Sequence, residues 1–176
     1  GSTETLGLTQ AQKDDFIKGY YEEGMQFGDG HMYSMPFSKS TEVLYYNKTF
    51  FETNRATLEG KGVKIPGDSE TPLTWDELEA LCAAIKEIDP TCIPLGYDSE
   101  ANWFITMCEQ LDSPYTSAEE GNHFLFDNET NRAFVKRFRE WHKAGYVTTQ
   151  EIFGGYTSGL FTAVDGTKSY MSIGSS

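Results

Sequence analysis

Apolar residues recur at helical spacing in three stretches of this chain. In "TWDELEALCAAIKEID", Trp75, Leu78, Cys82, Ile85 and Ile88 line one face while charged residues hold the other. Thr74 precedes the stripe and Glu77 stands three residues on, the spacing of a capping box, and Pro90 stops the helix. "SEANWFITMCEQLD" turns Phe104, Met107, Cys108 and Leu111 inward. "NETNRAFVKRFREWHKAGYV" does the same with Phe134, Val135, Phe138 and Trp141, and Gly145 suits its C-terminal cap. Nearer the start, "LTQAQKDDFIKGYYEEGMQFGDG" predicts a short helix carrying Phe16, Ile17, Tyr20 and Tyr21, ended by Gly24 and a turn at Gly28–Gly30. "GGYTSGLFTAVDG" predicts a weaker one.

Strand signals fall between the helices. "CIPLGYD" and "KSYMSIGSS" are short apolar runs, and "MYSMPFSKSTEVLYYNKTFF" is an extended element. That last stretch places five polar residues, Ser38 to Glu42, directly before its apolar end, which a purely core-building strand does not do. "ETNRATLEGKGVKIPGDSETPL" is rich in Gly, Pro and polar residues and predicts a surface loop. Strands alternating with helices mean α/β.

The 176 residues suffice for one ordinary domain. The net charge of −13 argues against a nucleic-acid binder and against an anionic membrane surface as partner. The one basic cluster, Arg132, Lys136, Arg137, Arg139 and Lys143, reads as a solvated helix face. Three cysteines with no Cys-x-x-Cys indicate no disulfide framework, although one pair remains free to bridge. The three histidines lack metal-ligand spacing, so no metal and no cofactor is expected. "DNETN" from Asp127 lacks the turn Gly and distal Glu of a calcium loop, and "GGYTSG" lacks the context of a phosphate loop. No catalytic constellation is visible.

Three predicted strand ends carry hydrogen-bonding groups, and in open α/β sheets ligands sit outside such ends. They are Ser38–Thr41, the "YDSEANW" loop with Glu100, Asn102 and Trp103, and Gly174-Ser175-Ser176. Hydroxyls, a small-residue loop and an aromatic ring are what a polyol needs. Periodicity alone favours a core role for Trp103 in the first turn of its helix.

"MYSMPFSKSTEVLYYNKTFFE", "PLTWDELEALCAAIK" and "FTAVDGTKSYMSIGSS", in this order, resemble the extracellular solute-binding proteins of carbohydrate ABC importers. Within that family the resemblance is to binders of glycerol-3-phosphate and oligosaccharides, and more distantly of maltose. It implies one lobe of a two-lobed, class II periplasmic-binding-protein-like clamp, a mixed sheet flanked by helices. Residues 1–35 would be a remnant of the first lobe and 36–176 the second, truncated at its end. The implied ligand contacts are Ser38, Ser40, Thr41, Glu100, Asn102, Trp103, Gly174 and Ser175, with Trp103 lifted from core to a ring that stacks on ligand. The expected function is non-enzymatic: a sugar or polyol is delivered to the transmembrane permease subunits of an ABC transporter. The alternatives are a glycerol-phosphate ester binder, a glycoside-processing enzyme using Asp98 or Glu100, and an interaction domain. The implied location is extracellular, lipid-anchored or periplasmic. The apolar set Phe16, Ile17, Tyr20, Tyr21 and Phe27 leads to an expectation of self-association.

Overall fold

The computed structural model describes residues 7–117, 119 and 121–176, which divide into two compact units meeting in sequence between Ser40 and Thr41. The first unit holds α1 (Gln10–Asp14) and α2 (Lys18–Glu23), where one helix was expected. Thr9 and Gln12 form a capping box on α1, and Ile17 leaves helical geometry to start α2. Phe16 packs on Tyr21 and Phe27 on Tyr33, yet Ile17, Tyr20 and Phe27 stay exposed.

The second unit runs β1 (Glu42–Tyr46), α3 (Lys48–Thr53), α4 (Arg55–Gly60), α5 (Trp75–Ile88), β2 (Leu95–Tyr97), α6 (Glu100–Gln110), α7 (Glu129–Lys143), β3 (Val147–Thr149), α8 (Gln150–Phe153), α9 (Ser158–Phe161) and β4 (Met171–Ser175). The strands form one sheet in the order β1-β4-β2-β3. β2 runs parallel to both β4 and β3, and β1 is antiparallel to β4. This is the α/β class that the strand–helix alternation predicts and the mixed sheet with flanking helices that the family resemblance implies.

Register sorts the side chains into rows. Tyr46, Met171, Leu95 and Val147 lie side by side across all four strands. They meet the main core, which includes Phe51, Leu58, Leu81, Cys82, Ile85 and Trp141 from the helices. The next row, Tyr45, Ser172, Gly96 and Thr148, points to the opposite face because strand side chains alternate. Burying the apolar row is the main source of stability, at about 1.5–3 kcal/mol for each large side chain.

Helix α5 begins as predicted. Thr74 Oγ1 accepts from the Glu77 N–H (3.2 Å), and Glu77 Oε2 accepts from the Thr74 N–H (2.7 Å). Asn128 caps α7 by accepting from the Asn131 N–H (2.9 Å), and the neighbouring Asp127 pairs with Arg132. Arg137 of the basic cluster pairs with Asp76 and Glu79.

Several elements differ from expectation, among them the end of the stretch read as extended, where Lys48–Phe51 opens α3. The segment read as loop carries α4 and the end of α3, whose Phe51 and Leu58 are buried at 2% and 0% exposure. These helices are too short for a stripe to show and are held by burial rather than propensity. β3 follows directly on the turn at Gly145. Three residues are too few for strand alternation to be visible, and its pairing with β2 defines it.

Candidate ligand-binding cleft

At the carboxyl ends of β2, β3 and β4 and the amino end of β1 the second unit opens into a cleft of about 610 Å³. β1 contributes Glu42 and Tyr45, and β4 contributes Ser172, Gly174 and Ser175. The turn from β2 into α6 contributes Asp98, Ser99 and Asn102. Gln150 follows β3, and Tyr156, Ser158 and Phe161 come from α9 and the turn before it. Three aromatic rings stand beside hydroxyls, amides and two carboxylates.

Close backbone approach builds the floor. A Cβ on Gly96 would sit 2.6 Å from Thr157 Oγ1 and 2.7 Å from its Cβ, so only glycine lets Thr157 seat on the sheet. Thr157, fully buried, gives both its N–H and its hydroxyl to Asp98 Oδ1, each at 2.6 Å. The other oxygen, Oδ2, lies over Gly174, 3.2 Å from where a Cβ would stand. Two glycines on adjacent strands thus make room, one for Thr157 and the other for the carboxylate it holds. Ser99 caps α6 by accepting from the Asn102 N–H (3.2 Å).

Across the sheet, Tyr97 donates its hydroxyl to Glu42 Oε2 at 2.7 Å. Burial first, and then the adjoining carboxylate, push the Tyr97 phenol up, so it stays a protonated donor.

Of the residues expected to contact ligand, Asn102, Gly174 and Ser175 line this cleft. Thr41 is exposed beside it in sequence and extends the β1–β4 pairing, its carbonyl accepting from the Ser176 N–H at 2.9 Å. Ser38 and Ser40 belong to the first unit and are exposed. Glu100 turns away from the cleft, where its carboxylate accepts the Glu151 N–H of α8 (2.8 Å) and so ties α6 to α8.

Trp103 is placed differently from the expectation of a stacking ring. It is 8% exposed and stacks on Phe138 with ring centroids 4.3 Å apart, while Phe134 meets it edge-on at 5.5 Å. Its position four residues before Met107 puts it on the buried stripe of α6, where apolar area outweighs any cleft contact. The sequence reasoning overlooked Glu42, Tyr45, Ser99, Gln150, Tyr156, Ser158, Phe161 and Ser172. One signal was available: Gly96 and Ser172 are small at strand positions where a covered face calls for bulk.

Among the described residues no group of three or more His, Cys, Asp or Glu could hold a metal ion. Cys82, Cys92 and Cys108 are buried free thiols, and burial pushes Cys92 up to about 12.

The sequence profile of the bacterial extracellular solute-binding proteins matches residues 3–175. The chain belongs to this family. As a bacterial extracellular solute-binding protein it is similar to the sn-glycerol-3-phosphate-binding periplasmic protein UgpB of Escherichia coli O1:K1 / APEC, at 36% identity over 83 residues, 47% of this chain and 15% of that protein. The UgpB of Salmonella paratyphi A is 35% identical over 94 residues, 53% of this chain and 18% of that one. The fold is similar to that of the GacH receptor of Streptomyces glaucescens, solved unliganded and with acarbose and an acarbose homologue. The TM-score is 0.64 and the identity 16%, over 96% of this chain and 38% of GacH. These solute-binding relatives are longer: the matches cover less than a fifth of either UgpB.

Proposed function

We propose that this chain supplies a sugar-binding lobe to an extracellular solute-binding protein that hands its ligand to the permease of an ABC importer. The observation that carries this reading is the cleft itself. In a chain of this family, Asn102, Gln150, Ser172 and Ser175 gather with Tyr45, Tyr156 and Phe161 where the parallel strands end. Short amides and hydroxyls serve sugar hydroxyls, and the rings cover the apolar faces of a pyranose. The likeness in fold to GacH, a receptor solved with acarbose, supports it. On this reading residues 36–176 make up the second lobe and residues 1–35 belong to the first. Ser38, Ser40 and Thr41 are further ligand contacts on this reading. The protein works outside the cytoplasmic membrane and is held there by a lipid, which fatty-acid labelling in the native cell tests.

A second reading, a glycerol-phosphate ester as ligand, draws on the UgpB relatives. In either case the protein binds and does not transform. Titrating the chain with mono- and oligosaccharides while following the amide signals of Asn102, Gly174 and Ser175 is the test. Saturable shifts at these residues with the sugar recovered unchanged are expected. Sugar turnover would make the protein an enzyme, and saturable shifts elsewhere would move the site.

A further inference from the structure

We propose that the cleft prefers a cationic sugar, one carrying a protonated amine, over its neutral counterpart, and that it excludes phosphate esters. This rests on the cleft being the ligand site. Its lining holds two carboxylates, Glu42 and Asp98, and no Lys, Arg or His. Each carboxylate is anchored through one oxygen and leaves the other unpaired. Asp98 Oδ1 is taken by Thr157 and Glu42 Oε2 by Tyr97, while Asp98 Oδ2 and Glu42 Oε1 accept no hydrogen bond among the described residues.

Ionised carboxylates only accept, so the groups they favour are hydroxyls and, more strongly, ammonium. A phosphate needs the reverse: clustered N–H donors or cations. At the start of α6 the Ser99 hydroxyl already takes the Asn102 N–H. A phosphate placed in this cleft meets two carboxylates in its lining and, beyond them, a chain of net charge −13. The same field draws in a cation, and salt weakens it.

The test titrates the 176-residue chain with D-glucosamine, D-glucose and sn-glycerol-3-phosphate at low ionic strength, at a pH where the amine is protonated. The amide signals of Asn102, Ser172, Gly174 and Ser175 are followed. Glucosamine is expected to shift them at roughly two- to fivefold lower concentration than glucose, with glycerol-3-phosphate weakest. Asp98→Asn and Glu42→Gln keep an acceptor for Thr157 and Tyr97, and each should narrow the gap between glucosamine and glucose. Added salt should narrow it too. Equal or stronger response to glucose or to glycerol-3-phosphate overturns the preference while leaving the cleft as a sugar site. So does a glucosamine advantage that survives in both variants. No response at these residues to any of the three removes the cleft as a ligand site, and the preference with it.

Discussion

The two faces of the sheet are made from the same strands and are used in opposite ways. On one face, Tyr46, Met171, Leu95 and Val147 form a continuous apolar row beneath the helices. On the other, the paired row is Tyr45, Ser172, Gly96 and Thr148, followed by Val43 and Gly174. Bulk on the first face excludes water and stabilises. Small residues on the second let Thr157 and Asp98 approach the backbone and leave a cleft open. Stability and recognition therefore rest largely on different faces, with Glu42 and Ser175 reaching the cleft at the strand ends from the register of the apolar face, and substitutions should sort accordingly.

The largest effect is expected from Trp103→Ala. Removing a buried ring packed on Phe134 and Phe138 should cost about 3–5 kcal/mol in denaturant unfolding. A loss near zero, with ligand response abolished, would return Trp103 to the cleft and break the division between faces.

Gly96→Ala tests the opposite face. The new methyl has to displace Thr157, an overpacking expected to cost about 1–3 kcal/mol. Because Thr157 holds Asp98, the same variant should weaken the sugar response at Gly174. Full stability would show that Thr157 moves aside freely and that the floor is softer than its contacts indicate.

Thr74→Ala removes the cap of α5, on the apolar side and far in sequence from the cleft residues. About 1 kcal/mol of stability should go, with the ligand response unchanged.

Acid provides a smaller probe of the apolar side. The Thr91 hydroxyl first, and then the Tyr170 hydroxyl and backbone N–H groups, hold the Asp89 carboxyl below its ordinary 3.8. Its contribution is therefore present above that ordinary value and is lost as pH falls through the lowered one. Asp89 is part-buried and near the surface, so Asp89→Asn should flatten the acid limb of a melting-temperature profile only modestly.

Gly174→Ala should show the least change in stability, within about 0.5 kcal/mol, because the methyl meets only the movable end of Asp98. Its sugar response should nonetheless fall, since Asp98 Oδ2 is pushed from its place. Unaltered binding would remove Gly174 from the site.

Helices α5, α6 and α7 were legible in the sequence because each has enough turns to repeat a stripe and carries a cap beside it. The alternation of strand and helix conveyed the α/β class for the same reason. Phe51 and Leu58 were illegible, since two helices of six residues are too short to repeat a stripe and take their meaning from the residues they meet. For Trp103, spacing pointed to the core and family resemblance pointed to ligand, and packing on Phe138 is what decides. Asn102, Gly174 and Ser175 were found by asking where strands end. Glu42, Gln150, Tyr156 and Ser172 come from four separate parts of the chain, and no local pattern connects them.

By itself, then, the sequence determined the elements with internal periodicity, the caps that start them, the acidic balance and the family, since all of these are local or additive along the chain. Tertiary structure alone decided which face of the sheet is filled and which stays open. The register of four strands places Gly96 under Thr157 and Gly174 under Asp98, and that register depends on contacts between residues far apart in the chain.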